Sequence, residues 1–93
     1  MLIGRIEAYL HSDVTTSHKG GVLVRVTAQT DFAARTEVFI AFAHTVAKLA
    51  YAAQATTWDA VIAMFPDLEV TRLELQTSLR EPIVVDAITL LTL

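Results

Sequence analysis

Hydrophobic and polar residues alternate in the first third of the chain, and this spacing predicts two β-strands. The first runs from Leu2 to His11 and the second from Val22 to Ala28. The stretch between them is polar and ends in two glycines, which predicts a loop. Because this connection is short, we expect the two strands to pair in an antiparallel ribbon. Every second residue from Val22 to Val26 is valine, so this side of the second strand is predicted to face the core. In the first strand we expect the core side to be Leu2, Ile6, Ala8 and Leu10.

From Phe32 to Ala53 the hydrophobic period changes to three and four residues, which is typical of a helix. Phe39 and Phe42 lie on its apolar stripe and are predicted to be core residues. Either Thr30 or Asp31 is suited to cap the helix by accepting a hydrogen bond from a free backbone N–H.

The second half of the chain carries weaker signals. Thr56 is predicted to cap a short helix that continues to Met64 and stops before Pro66. Trp58 is expected to close the bottom of the core. The segment from Asp67 to Leu79 fits a helical stripe and a strand alternation equally well, and the two alternatives stay open at this point. A last strand is predicted from the β-branched and leucine-rich residues 83–85 and 88–93.

These elements predict one α+β domain over residues 1–93, with strands and helices in the order ββα(α)(α)β. The last strand is expected to join the first two in a three-stranded antiparallel sheet, with the helices packed on one face. The other face is predicted to carry Ile3, Tyr9 and Leu23. Since this outer face is apolar for a solvated surface, we expect it to contact a protein partner, with a homodimer as the first expectation.

Composition limits the classes of function. Of the 93 residues 54% are hydrophobic, the mean hydropathy is +0.50, and there is no cysteine. The net charge of −3 and the lack of clustered lysine or arginine argue against a nucleic-acid partner. No apolar stretch reaches the roughly 20 residues that cross a bilayer, so a membrane is not expected as a partner. The three histidines lack the spacing of a metal site and no glycine-rich phosphate loop is found, so we expect no cofactor, no metal and no enzymatic catalysis.

One run of residues resembles a known signature. Residues 22–37, VLVRVTAQTDFAARTE, form a predicted strand, a turn with Thr30-Asp31-Phe32, and the start of the long helix. This run resembles the strand, Thr-Asp-Phe turn and helix of the bacterial translation elongation factor Ts family. Residues 4–11, GRIEAYLH, and 81–85, EPIVV, resemble two further core strands of that family. The chain is therefore similar to a single core, dimerisation-type domain of elongation factor Ts, without a counterpart of the family's amino-terminal domain, which resembles a ubiquitin-associated domain.

The resemblance implies a function in protein biosynthesis. Members of the family bind elongation factor Tu and expel GDP, so the expected partner is elongation factor Tu and the expected activity is guanine-nucleotide exchange in the cytoplasm. Thr30, Asp31 and Phe32 would reach the nucleotide domain of that partner, and Arg35 lies four positions after Asp31, where the two side chains could pair. Without the resemblance, Asp31 would be interpreted as a helix cap and Phe32 as a core residue. A partner-binding or homodimerising module without exchange activity is the alternative function.

Overall fold

A computed structural model describes residues 2–93 and contains three strands and four helices in the order ββααααβ. The elements are β1 (Ile3–His11), β2 (Gly20–Ala28), α1 (Asp31–Ala34), α2 (Glu37–Ala53), α3 (Trp58–Met64), α4 (Asp67–Leu79) and β3 (Val84–Thr92). The predicted α+β class is confirmed. The segment that the sequence left open is the helix α4, and the last strand lies where its β-branched residues predicted it.

The three strands form one antiparallel sheet with β2 in the middle. The valines of β2 that alternate along the strand are all buried, and the helices cover this side of the sheet. β2 begins at Gly20, where a β-carbon would lie 2.8 Å from the ring of Tyr51 in α2. A side chain at this position would press on the Tyr51 ring, so the glycine favours close packing of the long helix on this end of the sheet.

The core lies between the covered face of the sheet and α2. Phe39 and Phe42 are buried, as their positions on the helical stripe predicted. Small side chains surround them on the same helix, which allows its backbone to lie close to the strands. The core is completed by residues from α3, α4, β3 and the residue just before β3, namely Val61, Leu68, Leu75, Ile83, Val85 and Ile88.

The two faces of β1 are the reverse of the prediction. Tyr9 pairs with Val22 and Ile3 pairs with Ala28, and residues directly opposite in an antiparallel pair point to the same side. Ile3 and Tyr9 therefore lie on the face that the helices cover, and the ring of Tyr9 packs 5.7 Å from that of Tyr51. The prediction that they belong to the outer face was wrong because both faces of β1 carry apolar side chains. Pairing with β2, rather than hydrophobicity, decides its orientation.

The predicted helix from Phe32 to Ala53 is broken into α1 and α2. At the break, the Thr36 hydroxyl donates to the carbonyl of Ala33 (2.8 Å) and accepts from the amide of Phe39 (3.3 Å). Thr36 thus ends one helix and caps the next. The cap of α3 differs from the prediction by one residue, since it is Thr57 and not Thr56.

A polar network fixes α4 against α3 and the start of β3. The guanidinium of Arg72 donates to Glu69, to the side-chain oxygen of Gln76 (3.2 Å) and to the carbonyl of Ile83 (2.8 Å). The indole N–H of Trp58 donates to Glu69 (2.8 Å), and this half-buried ring packs against the core as predicted. Arg72 and then Trp58 stabilise the carboxylate, which outweighs partial desolvation and lowers the pKa of Glu69.

Within residues 2–93, no single helix has both the length and the apolar character needed to cross a membrane. Among the described residues, α2 and α3 meet those limits when taken together, but the pair is bent by 77°.

Candidate partner-binding tip

The turn that carries the Thr-Asp-Phe sequence is a single helical turn between β2 and α2. Thr30 adopts an extended conformation and its hydroxyl accepts from the amide of Ala33 (3.2 Å), so Thr30 and not Asp31 is the cap. The side chains of Ala33 and Ala34 are buried and attach the turn to the rest of the domain. The other two residues of the turn, Asp31 and Phe32, are exposed. We call residues 30–35 the tip.

Phe32 is 82% exposed, although Ala33 and Ala34, which follow it in the tip, are buried. The interpretation of Phe32 as a core residue is therefore wrong. A single exposed apolar side chain is common on protein surfaces. A phenylalanine at the end of a domain, on a turn whose backbone is fixed by hydrogen bonds, is also suited to enter an apolar gap on a partner.

Arg35 follows the turn and its side chain is exposed. Its backbone amide donates to the carbonyl of Asp31 (3.1 Å) and closes the turn. The side-chain pairing of Arg35 with Asp31 that their spacing allows does not occur among the ion pairs of residues 2–93. Both charged groups of the tip are therefore directed to solvent, where a partner can reach them.

Glu81 contacts the tip, although it lies about fifty residues further along the chain. Its carboxylate accepts from the amide of Gln29 (2.8 Å), from the amide of Thr30 (3.0 Å) and from the Thr30 hydroxyl (3.0 Å). Partial desolvation opposes ionisation, but these three hydrogen bonds outweigh it and hold the pKa of Glu81 below its usual range. Sequence reasoning placed Glu81 only at the beginning of a strand. Its one signal was the position beside Pro82 in the segment that resembles a family strand.

The outer face of the sheet is the second surface with candidate function. Leu23 lies on it as predicted, between Ala8 of β1 and Thr89 of β3. Leu10 and Leu91 flank Gly21 in the next row, and both are more than half exposed. We call these three leucines, together with the exposed Ile6, the outer leucine patch. An ion pair between Arg25 and Asp86 borders it on the same face.

No group of three or more histidine, cysteine, aspartate or glutamate side chains in the described part of the chain is arranged to hold a metal ion. His44 is exposed and lies 3.5 Å from the carboxylate of Glu7, and His11 stacks on the ring of Tyr51 with centroids 4.6 Å apart.

Comparison with known proteins supports the resemblance seen in the sequence. Elongation factor Ts from Clostridium botulinum strain Alaska E43 / Type E3 is 37% identical over 76 residues, which cover 82% of this chain and 24% of that protein. Elongation factor Ts from Clostridium botulinum strain Eklund 17B / Type B matches with the same identity and coverage. No family model matches the chain. The chain thus spans about a quarter of the length of the curated relatives it matches, and over most of its own length it is similar to elongation factor Ts.

Proposed function

We propose that this protein binds elongation factor Tu and promotes the release of GDP, acting in the cytoplasm as a guanine-nucleotide exchange factor for translation elongation. The observation that carries the proposal is the 82% exposure of Phe32 on a capped turn. The similarity to elongation factor Ts supports elongation factor Tu as the partner. Thr30, Asp31, Phe32 and Arg35 are the proposed contact residues.

In this proposal the mechanism needs no covalent step and no cofactor. Phe32 enters an apolar gap in the nucleotide domain of the partner, where its ring is removed from water. Asp31 enters beside it and either accepts hydrogen bonds or alters the field at the bound Mg²⁺. Since binding is reciprocal, the free energy that the factor gains on nucleotide-free elongation factor Tu is lost when GDP binds.

The energy required exceeds what Phe32 supplies. A thousandfold weakening of GDP binding corresponds to about 4 kcal/mol of coupling. Complete burial of one phenylalanine contributes roughly 1.5–3 kcal/mol. Other contacts must therefore supply the remainder, and the charged side chains of Asp31 and Arg35 are the nearest groups available.

A second function is favoured by the outer leucine patch. We propose that this face joins two copies of the chain, so that the protein is a homodimer. A homodimerising module that binds elongation factor Tu without accelerating exchange, as a competitor or an assembly subunit, uses the same two surfaces. The exchange factor and the module without exchange activity differ only in whether binding at the tip weakens the affinity of elongation factor Tu for GDP.

The test is the rate at which a fluorescent GDP analogue leaves bacterial elongation factor Tu, with and without this protein. We expect acceleration by the wild type and its loss with Phe32→Ala. Met64→Ala is the matched control, because Met64 is 59% exposed at the end of α3, outside the tip and the outer leucine patch. Binding without acceleration would favour the competitor or assembly subunit. A Phe32→Ala variant that binds with wild-type affinity would exclude the tip as the contact site.

A further inference from the structure

We propose that Glu81 is a positioning residue for the tip: its carboxylate holds Thr30 in the orientation that caps α1 and so fixes the direction of Phe32. The link to binding rests on the proposed function. The link between Glu81 and the turn depends on geometry alone.

The hydrogen bonds form a relay from the connection between α4 and β3 to the tip. One carboxylate oxygen of Glu81 accepts from the amides of Gln29 and Thr30, and the other accepts from the Thr30 hydroxyl. The same hydroxyl accepts from the amide of Ala33 inside α1. The donors are therefore Gln29 just before the turn, the cap residue Thr30, and Ala33, the third residue of α1.

The charge of Glu81 decides the direction of this relay. An ionised carboxylate only accepts hydrogen bonds, so the Thr30 hydroxyl must give its proton to Glu81. Its lone pairs are then left for the amide of Ala33. A group that can also donate would allow the hydroxyl to turn and would weaken the cap.

The turn needs this support because of its length. α1 has four residues, and a helix of one turn is not stable through its own hydrogen bonds. The buried side chains of Ala33 and Ala34 hold its far end. Its near end, which carries Asp31 and Phe32, is held by the cap and by Glu81.

Glu81 is itself held on both sides. Arg80 before it adopts a left-handed conformation (φ 60°), and its amide donates to the carbonyl of Gln76 (2.9 Å). The amide of Ile83 after it donates to the side chain of Gln76 (3.1 Å), and the carbonyl of Ile83 accepts from Arg72. The position of the tip therefore depends on α4, through the four residues 80–83 that join α4 to β3.

Amide hydrogen exchange and chemical shifts of the isolated protein test the first link. In Glu81→Ala we expect the amide of Ala33 to exchange about fivefold faster, the effect of losing a typical cap, and the amide resonances of Gln29 and Thr30 to shift. Glu81→Gln is expected to fall between this variant and the wild type, because its side-chain oxygen can still accept from the two amides. Glu74→Ala, an exposed glutamate on α4, is the control and should change none of these signals. Wild-type exchange at Ala33 and unshifted Gln29 and Thr30 resonances in both Glu81 variants would overturn the proposal.

A double-mutant cycle with elongation factor Tu tests the second link. If Glu81 acts through Phe32, Glu81→Ala weakens binding in the wild-type background and has little further effect in Phe32→Ala. An equal effect in both backgrounds would overturn the positioning role. Failure of the wild-type protein to bind elongation factor Tu would instead reject the proposed function, while the exchange rates still decide whether Glu81 holds the turn.

Discussion

Replacement of Leu23 by glutamate tests whether the outer leucine patch joins two copies of the protein. Leu23 is central on the outer face because β2 is the middle strand, with Ala8 and Thr89 as its cross-strand neighbours. In a two-fold symmetric dimer each substitution changes the interface twice. We therefore expect Leu23→Glu to convert a dimer into monomers.

The size of the effect follows from the exposure of this side chain. Complete burial of a leucine contributes roughly 1.5–3 kcal/mol, and Leu23 still has 50% of its surface to bury. Two copies then contribute about 1.5–3 kcal/mol, which corresponds to a roughly 10- to 150-fold change in the dissociation constant. The desolvation of two carboxylates in the interface increases the change further.

Sedimentation equilibrium measures this change directly. Leu73→Glu is a close control, since Leu73 is 46% exposed but lies on α4, away from the sheet. We expect the control to sediment as the wild type does and Leu23→Glu to sediment as a monomer with an unchanged circular dichroism spectrum. A monomeric wild type, or a Leu23→Glu variant with the wild-type dissociation constant, would refute the proposed dimer face.

Two further predictions concern the network on α4. Arg72→Met should lower the free energy of unfolding by about 1.5–3 kcal/mol, because the carbonyl of Ile83 and the carboxylate of Glu69 lose a charged donor; Arg72→Lys should recover only part. Urea denaturation measures both, and an unchanged midpoint would contradict the reasoning. Since the folded-state pKa of Glu69 is lowered, its contribution to stability is complete above its ordinary value of 4.5 and is lost as the pH falls through the lowered value. The indole N–H resonance of Trp58 should report this titration in the wild type and lack it in Glu69→Gln.

The sequence predicted the fold well where one pattern had one explanation. The valines of β2 alternate without interruption, and the stripe of Phe39 and Phe42 in α2 has a clear helical period, so the core faces of both elements were predicted correctly, although the helix predicted from Phe32 is divided into α1 and α2. The faces of β1 were reversed because Ile6 and Leu10 on one side are as apolar as Ile3 on the other. Its register with β2 is a contact between strands, which the pattern within one strand does not contain.

The candidate site shows the same division. The residues themselves located the boundary between a strand and a helix at Thr30 or Asp31, because capping preferences are local properties of neighbouring residues. The turn at Thr30-Asp31-Phe32 was implied by the resemblance to elongation factor Ts. Only the tertiary structure decided that Phe32 points to solvent and that Thr36 separates the turn from α2. It also brought Glu81 to the tip, because the packing of α4 and β3 places these distant segments side by side. Packing between distant segments produces no periodic pattern in a single sequence, so the sequence did not predict this contact.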